Sequence, residues 1–245
     1  MSIHLKGLKP GDLGELTIVV GDPGRVALLG TLLEDTRLIT DTREFQVLAG
    51  KYKGAPVSIC STGIGLGSTE IAITELIEND AKKIVRCGGC GAWQDNINVG
   101  DMILNSGMAR NPGLLSTYVP DSYPAVADPE LLTQIKESLE EDGLVTHTGV
   151  GLTSETYYAG QWRMPSIDKA PNFASENGMK YYQDRNVLNC EMETAILYIL
   201  GSLYGIPVAN SLVVHVTRRN DSWADDEAYR ARHLMSGEAV LKLAL

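Results

Sequence analysis

Residues 57–79, VSICSTGIGLGSTEIAITELIEN, place an apolar β-branched run, a glycine-rich loop and a helical pattern in immediate succession. The run at 57–60 predicts a buried strand. Residues 68–79 begin with Ser-Thr-Glu and then carry apolar residues at helical spacing, so we predict a helix capped by Ser68. A strand followed by a loop and a helix is the repeating unit of α/β proteins.

The same alternation extends along the rest of the chain. Apolar β-branched runs predict strands at 16–20, 83–87, 102–104, 146–152 and 212–216. Helical patterns predict helices at 129–141, 192–204 and 225–243. Strands separated by helices predict an α/β protein with a mainly parallel central sheet that is flanked by helices.

Length and composition restrict the class of protein. The 245 residues are 44% hydrophobic and 21% charged and contain no linker or repeat, which predicts one globular domain over 1–245. The net charge of −10 argues against nucleic-acid binding, which requires Lys and Arg to neutralise phosphates. No run approaches the roughly 18 apolar residues of a membrane helix. Because the chain has four cysteines and no apolar run at its N-terminus, we expect a cytoplasmic protein.

Three glycine-rich segments follow predicted strands, and ligands of parallel sheets bind at such positions. The segments are residues 21–25, 61–68 and 86–91. Glycine lets backbone N–H groups approach an anion closely, and a helix N-terminus adds favourable partial charge. Since Arg25 and Arg86 add full positive charge, one interpretation is a site for a small anion. The alternative is that the glycines only form tight turns and the arginines are solvated.

Two other motifs are similar to a dinucleotide-binding fingerprint and to a redox or zinc motif, but each lacks residues that such a site requires. Residues 63–65, GIG, have the start of a dinucleotide fingerprint, but Ser68 replaces the third glycine and the next strand ends at Arg86 instead of a ribose-binding acid. Cys87 and Cys90 have redox-motif spacing, yet Cys87 ends a predicted strand, and a zinc site would need two more ligands. We therefore predict neither NAD nor a metal at these motifs, and interpret the cysteines as small buried thiols.

Further candidate residues lie in the second half of the chain. Glu191 and Glu193 either stabilise a helix N-terminus, or one of them accepts two hydrogen bonds from a vicinal diol such as ribose. Residues 157–163, YYAGQWR, place aromatic rings beside an amide and a guanidinium, which suits stacking and edge binding of a flat base. His147 and His215 lie within predicted apolar strands, and we interpret both as core residues although histidine titrates in the useful range.

Taken together, these segments resemble the nucleoside phosphorylase family, most closely its uridine phosphorylase branch, over nearly the whole chain. Residues 19–25, VVGDPGR, are similar to the family's first phosphate loop, and residues 61–65 are similar to its STGIG loop. Residues 42–45, TREF, resemble the segment that lends an arginine to the neighbouring subunit. The resemblance implies a three-layer α/β/α fold with a mainly parallel, mixed central sheet.

The resemblance also assigns roles to individual residues. The phosphate would be held by residues of one subunit and one arginine of its dimer partner: Gly21, Arg25, Arg86 and the partner-donated Arg43. The base would contact Tyr157, Gln161, Arg163 and Val216. The ribose would contact Met192, Glu193 and a partner-donated His4. The catalytic roles would belong to Arg86, Gln161 and Arg163.

The implied reaction is the conversion of uridine and phosphate to uracil and ribose 1-phosphate. Phosphate is then a co-substrate and no organic cofactor is needed. The resemblance also implies that dimers assemble into a hexamer and that Glu44, Ile64 and Ser68 hold a potassium ion at the dimer interface. Purine enzymes of the family tend to carry an aspartate after the late strand, where this chain has Thr217 followed by Arg218. The alternatives are a purine nucleoside phosphorylase, a nucleosidase that uses water, and a low-activity nucleoside-binding relative.

Two positions depart from the family pattern. Gly89 stands where the family has Thr or Ser in contact with phosphate and ribose, and His215 occupies a position that is usually apolar beside the base. We expect Gly89 to leave room for a water molecule that bridges the backbone and the phosphate. Because glycine lacks the hydroxyl that contacts phosphate in the family pattern, replacing Gly89 by threonine is expected to improve phosphate affinity.

Overall fold

The computed structural model describes residues 2–111, 113–167 and 176–245. Its strands are β1 (Leu16–Val20), β2 (Glu34–Thr42), β3 (Phe45–Tyr52), β4 (Ala55–Ser61), β5 (Ile84–Ala92), β6 (Met102–Arg110), β7 (Ala125–Val126), β8 (Thr146–Thr153), β9 (Asn189–Glu191), β10 (Val208–Thr217) and β11 (Ser222–Trp223). Its α-helices are α1 (Pro23–Gly30), α2 (Leu66–Glu78), α3 (Pro129–Glu141), α4 (Glu176–Gln183), α5 (Thr194–Tyr204) and α6 (Asp226–Leu241).

The described strands form one mixed sheet in the order β11-β10-β6-β8-β9-β5-β1-β4-β3-β2, with β7 beside β6. Strand β10 also pairs with β5, so β10, β6, β8, β9 and β5 close a ring within the sheet. Helices α2 and α5 pack together, whereas α1 and α3 pack on α6. The predicted three-layer α/β/α fold with a mixed sheet is confirmed. Among the described helices, none has the length and apolar character that a membrane crossing requires.

Every strand predicted from an apolar run is present, but two helix starts are wrong by two residues, and one of them is that of α5, which begins at Thr194 instead of residue 192. Helix α2 begins at Leu66, two residues before the predicted start, and its N-cap is Gly65 without a side-chain hydrogen bond. Gly65 has a φ of +89°, a left-handed conformation that glycine adopts without steric cost. Ser68 lies inside the first turn, where its Oγ donates to the Ile64 carbonyl at 3.2 Å.

The third glycine-rich segment, residues 86–91, lies within strand β5, so the prediction that it follows the end of a strand is wrong. Strand β5 continues to Ala92 because β10 pairs with it along its whole length. A Cβ atom at Gly88 would lie 2.9 Å from Cζ of Arg86 and 3.0 Å from Cδ2 of Leu212. Glycine in this strand therefore makes room for the Arg86 side chain beside its own backbone.

The β2–β3 hairpin was not predicted, because its strands do not show an apolar run. Most side chains of β2 are exposed, so the segment has the composition of a surface loop. The two strands pair up to Thr42 and Phe45, which leaves Arg43 and Glu44 as a two-residue turn. Arg43 has a φ of +56° and is exposed, as expected for a residue at the tip of a hairpin.

Strand β10 contains a β-bulge at His215. Val214 pairs with Cys90 and Val216 pairs with the next residue, Gly91, so His215 is an extra residue without a partner in β5. A bulge bends the strand and redirects the side chains that follow it. His215 and the next residue, Val216, both line a cavity.

Candidate active site

A cavity of about 950 Å³ opens at the carboxyl ends of β1 and β4 and extends along β5 and β10. Parallel sheets bind ligands at this edge. The cavity brings together residues from all three glycine-rich segments and from the second half of the chain. Of the residues assigned from the sequence, those that line it are Gly21, Arg25, Glu44, Ile64, Ser68, Arg86, Tyr157, Gln161, Arg163, Met192, Glu193, His215 and Val216.

Two guanidinium groups face this cavity and each has a buried N–H donor without a hydrogen-bond partner among the described residues. Asp22 caps helix α1 by accepting the Gly24 N–H at 2.9 Å, and this turn carries Arg25 to the cavity wall. Nη1 of Arg25 and Nη1 of Arg86 are both buried, and neither has a hydrogen-bond partner among the described residues. Buried donors without partners are rare and costly in folded proteins. Two in one cavity indicate a site for an anion with several acceptor oxygens.

Arg86 is held in place by two buried carboxylates. Its Nε lies 3.3 Å from Oε2 of Glu191, and its Nη2 donates to Oε2 of Glu193. All three residues are less than a tenth exposed. Burial lowers the pKa of Arg86, but Glu193 and Glu191 more than offset it, so the net shift is upward and the guanidinium stays charged.

The structure separates the roles of the two carboxylates. Oε2 of Glu191 accepts the N–H groups of Glu193 at 2.9 Å and of Thr194 at 2.8 Å, so Glu191 stabilises the start of α5. Glu193 accepts from Gly65 N–H through Oε1 at 2.7 Å and from Arg86 through Oε2. Each carboxylate oxygen has a second lone pair, so Glu193 keeps one acceptor position on each oxygen. That arrangement fits a vicinal diol.

The far end of the cavity suits a flat polar ring. Cζ of Arg163 lies 4.7 Å from the ring centre of Tyr157 and 5.6 Å from that of Trp223, and its Nε is buried without a partner among the described residues. Gln161 is 5% exposed and lines the same region. The aromatic rings provide faces for stacking, while the amide and guanidinium provide donors for the ring edge.

The two strand histidines have different environments. Nε2 of His147 lies 2.9 Å from Oδ2 of Asp101, away from the cavity, which agrees with a structural role. His215 is only partly buried and lines the cavity, so its interpretation as a core residue is wrong. The bulge turns its ring toward Tyr229 of α6. Burial, followed by the charge of Arg25, lowers the pKa of His215 below its usual value.

Several residues that line the cavity were not predicted from the sequence, chiefly Trp223 of β11 and Tyr229 of α6. Trp223 contacts the His215 ring at a centroid distance of 5.2 Å. An aromatic residue near the start of an amphipathic helix has the appearance of a core residue, so the sequence contains no signal that assigns Tyr229 to the site.

His4 and Arg43 do not line the cavity of their own chain. The Glu75 carboxylate accepts the N–H groups of Ile3, His4 and Leu5 and also contacts Nδ1 of His4 at 2.9 Å. Burial raises the pKa of Glu75, but these hydrogen bonds outweigh it and the net shift is downward. His4 is thus fixed at the surface, and its contribution to a neighbouring subunit stays a prediction, as does that of Arg43.

The cysteines are unsuited to redox or metal chemistry. All four are buried and unpaired with one another, and burial raises the pKa of Cys87 to about 12. In the part of the chain that the structure describes, no three His, Cys, Asp or Glu side chains gather as a metal site.

A family model and several known proteins match the sequence of this chain. The family model described as the phosphorylase superfamily matches residues 15–244. The uridine phosphorylase of Thermococcus kodakarensis is 36% identical over 244 residues, which cover all of this chain and 87% of the relative. The uridine phosphorylase of Haemophilus influenzae is 36% identical over 78% of this chain and 76% of the relative. The guanosine phosphorylase of Halorubrum lacusprofundi is 33% identical over 81% of this chain and 77% of the relative.

These relatives support nucleoside phosphorolysis, with phosphate as co-substrate, and they include enzymes named for a pyrimidine and for a purine nucleoside. The family match covers nearly the whole chain, including every cavity residue named above. The chain therefore belongs to the phosphorylase superfamily, a family of pentosyltransferase enzymes.

Proposed function

We propose that this enzyme cleaves uridine with inorganic phosphate to give uracil and ribose 1-phosphate. The observation that carries the proposal is the set of buried guanidinium donors without partners, on Arg25 and Arg86 at one end of the cavity and on Arg163 at the other. The donors of Arg25 and Arg86 suit phosphate, and the donor of Arg163 suits the departing base. Glu193, which lines the same cavity, keeps acceptor positions for the ribose hydroxyls.

In the reaction, a phosphate oxygen forms a bond to the anomeric carbon while the bond from that carbon to N1 of uracil breaks. The electron pair of the broken bond goes to the base, which leaves as an anion. Arg25 and Arg86 position the nucleophile, and such positioning supplies a large part of the barrier reduction. Gln161 and Arg163 stabilise the charge that develops on uracil, an interaction that is stronger in the transition state than in the ground state.

The preference for a pyrimidine rests on the base end of the cavity. Thr217, which follows the lining residue Val216, has no carboxyl group to protonate a purine, and its hydroxyl donates to Oδ1 of Asn220 at 2.7 Å. A guanosine phosphorylase among the relatives makes a purine nucleoside the second candidate substrate. A nucleosidase that uses water would have no anion for Arg25 and Arg86 to bind.

We expect phosphate-dependent release of base from uridine to be faster than from inosine or guanosine, because Gln161 and Arg163 are arranged for a pyrimidine edge. Replacing Arg163 by alanine should lower kcat on uridine by about 10²–10³, as expected when a transition-state donor is lost. The assay measures free base with and without phosphate. The control is Arg185→Ala, which removes an exposed arginine outside the cavity. Faster cleavage of a purine nucleoside, or phosphate-independent cleavage, contradicts the proposal.

We also propose that Arg43 and His4 complete the cavity of a neighbouring subunit, in a hexamer built as a trimer of dimers. The exposed hairpin tip that carries Arg43 supports this arrangement. Glu44, Ile64 and Ser68 supply a carboxylate, a carbonyl and a hydroxyl oxygen close together, and oxygen donors of this kind fit potassium at that interface.

Mixing two inactive variants tests the shared site. Arg43→Asn removes the guanidinium while keeping a residue that tolerates positive φ, and Arg25→Ala damages the other half of the phosphate site. After the subunits are exchanged in equal amounts, we expect about a quarter of the wild-type activity, because half of the dimers are hybrids with one intact site each. Sedimentation checks the assembly. Full activity of Arg43→Asn alone, or of a monomer, contradicts the arrangement.

A further inference from the structure

The space beside Gly89 is filled by the hydroxyl group of Tyr229. A Cβ atom placed on Gly89 would overlap the phenolic oxygen of Tyr229 and would lie 3.2 Å from its Cζ. The expectation that Gly89 leaves room for a water molecule is therefore wrong. A hydroxyl group is present at this point of the cavity, but it comes from α6 instead of β5.

The Tyr229 ring is fixed by two histidines. It stacks on His215 with a centroid distance of 4.0 Å and an interplanar angle of 14°, and it meets the edge of His233 at 4.4 Å and 85°. Paired contacts of this kind orient an aromatic ring and stabilise it beyond simple burial. The two positions that depart from the family pattern, Gly89 and His215, are thus both in contact with the same side chain.

The hydroxyl group of Tyr229 is available to a ligand. Its oxygen lies beside Gly89 without a hydrogen-bond partner within the described ranges 2–111, 113–167 and 176–245, and Tyr229 lines the cavity together with Arg25 and Arg86. Burial raises the pKa of Tyr229, and the nearby Arg25 and Arg86 oppose this only in part. At neutral pH the group therefore carries its proton and acts as a donor.

We propose that the Tyr229 hydroxyl donates a hydrogen bond to the bound phosphate and replaces the side-chain hydroxyl that is missing at Gly89. The inference rests on the proposed function, because it concerns the phosphate of the same reaction. It makes glycine at position 89 a requirement, since any Cβ there would displace the Tyr229 oxygen. His215 supplies the flat surface against which the phenol is held.

The test measures inorganic phosphate binding by calorimetry, together with kcat and both KM values on uridine. Tyr229→Phe removes only the hydroxyl, so we expect the phosphate Kd and KM to rise about tenfold to a hundredfold, the range for a hydrogen bond to a charged group. The uridine KM should stay within about twofold, a split that a general structural defect would not produce. Tyr204→Phe, an exposed tyrosine outside the cavity, is the matched control.

A second set of variants moves the hydroxyl back to β5. Gly89→Thr alone is expected to weaken phosphate binding, contrary to the expectation from the sequence, because its Cβ collides with Tyr229. Tyr229→Ala alone also weakens binding. The double variant Gly89→Thr with Tyr229→Ala has both the space and a hydroxyl, so we expect it to bind phosphate more tightly than either single variant, a coupling that neighbouring residues show in a double-mutant cycle.

The outcomes separate this inference from the proposed reaction. Phosphorolysis by the wild type with an unchanged phosphate Kd in Tyr229→Phe overturns the role of Tyr229 and leaves the reaction standing. A rise in the uridine KM alone also overturns it, since the hydroxyl would then bind the sugar. Phosphate binding that depends on Tyr229 without phosphorolysis supports the inference and overturns the reaction.

Discussion

Replacing Arg86 by leucine is expected to abolish phosphorolysis and to lower the free energy of unfolding by about 3–5 kcal/mol at pH 7, the cost of breaking a buried ion pair. Arg86 is the positive partner of both Glu191 and Glu193, and all three side chains are at most 6% exposed. Without the guanidinium, two buried carboxylates face each other unpaired. Denaturant titration gives the change in stability, and the uridine assay gives the change in activity.

The pH dependence of the Arg86→Leu defect provides an internal check. Burial and the neighbouring Glu191 raise the pKa of Glu193, whereas Arg86 lowers it, so removing Arg86 raises it further. When the pKa of a carboxyl group is higher in the folded state than in the unfolded state, the folded state binds the extra proton. The free energy of unfolding then falls as the pH rises through the folded-state pKa. We therefore expect a smaller stability loss at pH 5 than at pH 8. Adding Glu193→Gln should recover part of the stability at pH 8 but no activity, and an equal loss at both pH values contradicts this account.

His233 is expected to make the enzyme less stable in mild acid. Its side chain is 2% exposed, and burial, together with Arg25, His215 and Arg86, lowers its pKa to about 3. In the unfolded chain the pKa of histidine is about 6.5, so below that pH the unfolded state binds the extra proton. The free energy of unfolding should then fall with pH, by about 2 kcal/mol between pH 7.5 and pH 5 from this one residue.

The variant His233→Leu isolates this effect, because leucine does not titrate. Nε2 of His233 is buried and has no partner among the described side and main chains, so its loss removes no hydrogen bond there. We expect the stability difference between variant and wild type to shift in favour of the variant as the pH falls from 7.5 to 5. Parallel stability curves for the two proteins would show that His233 is not the group that titrates.

The sequence predicts the fold better than it predicts the cavity wall. Apolar runs identify the central strands because buried parallel strands have few polar residues, and the α3 pattern matches the structure at both ends. The hairpin of β2 and β3 has polar residues on exposed faces, so its composition is that of a loop. In β5, consecutive glycines suggest a loop although pairing with β10 keeps them in the sheet.

The candidate site is predicted where a local motif carries it. Residues 21–25 contain glycines and an arginine that suit an anion, and residues 157–163 contain aromatic, amide and guanidinium groups that suit a base. The structure brings Arg25, Gln161 and Arg163 to one cavity. Tyr229 lies 140 positions after Gly89 in the chain, and only the packing of α6 against β5 brings the two together. A contact of this kind depends on tertiary structure, so no pattern within either segment reports it.

The extra residue in β10 has a consequence for how substrate preference changes during evolution. In a regular strand, successive side chains point to opposite sides, so one of two neighbouring residues is committed to the interior. At the bulge, His215 and Val216 both line the cavity, while Val214 remains fully buried. Mutations at two adjacent codons can therefore change the cavity wall while Val214 keeps its place in the core.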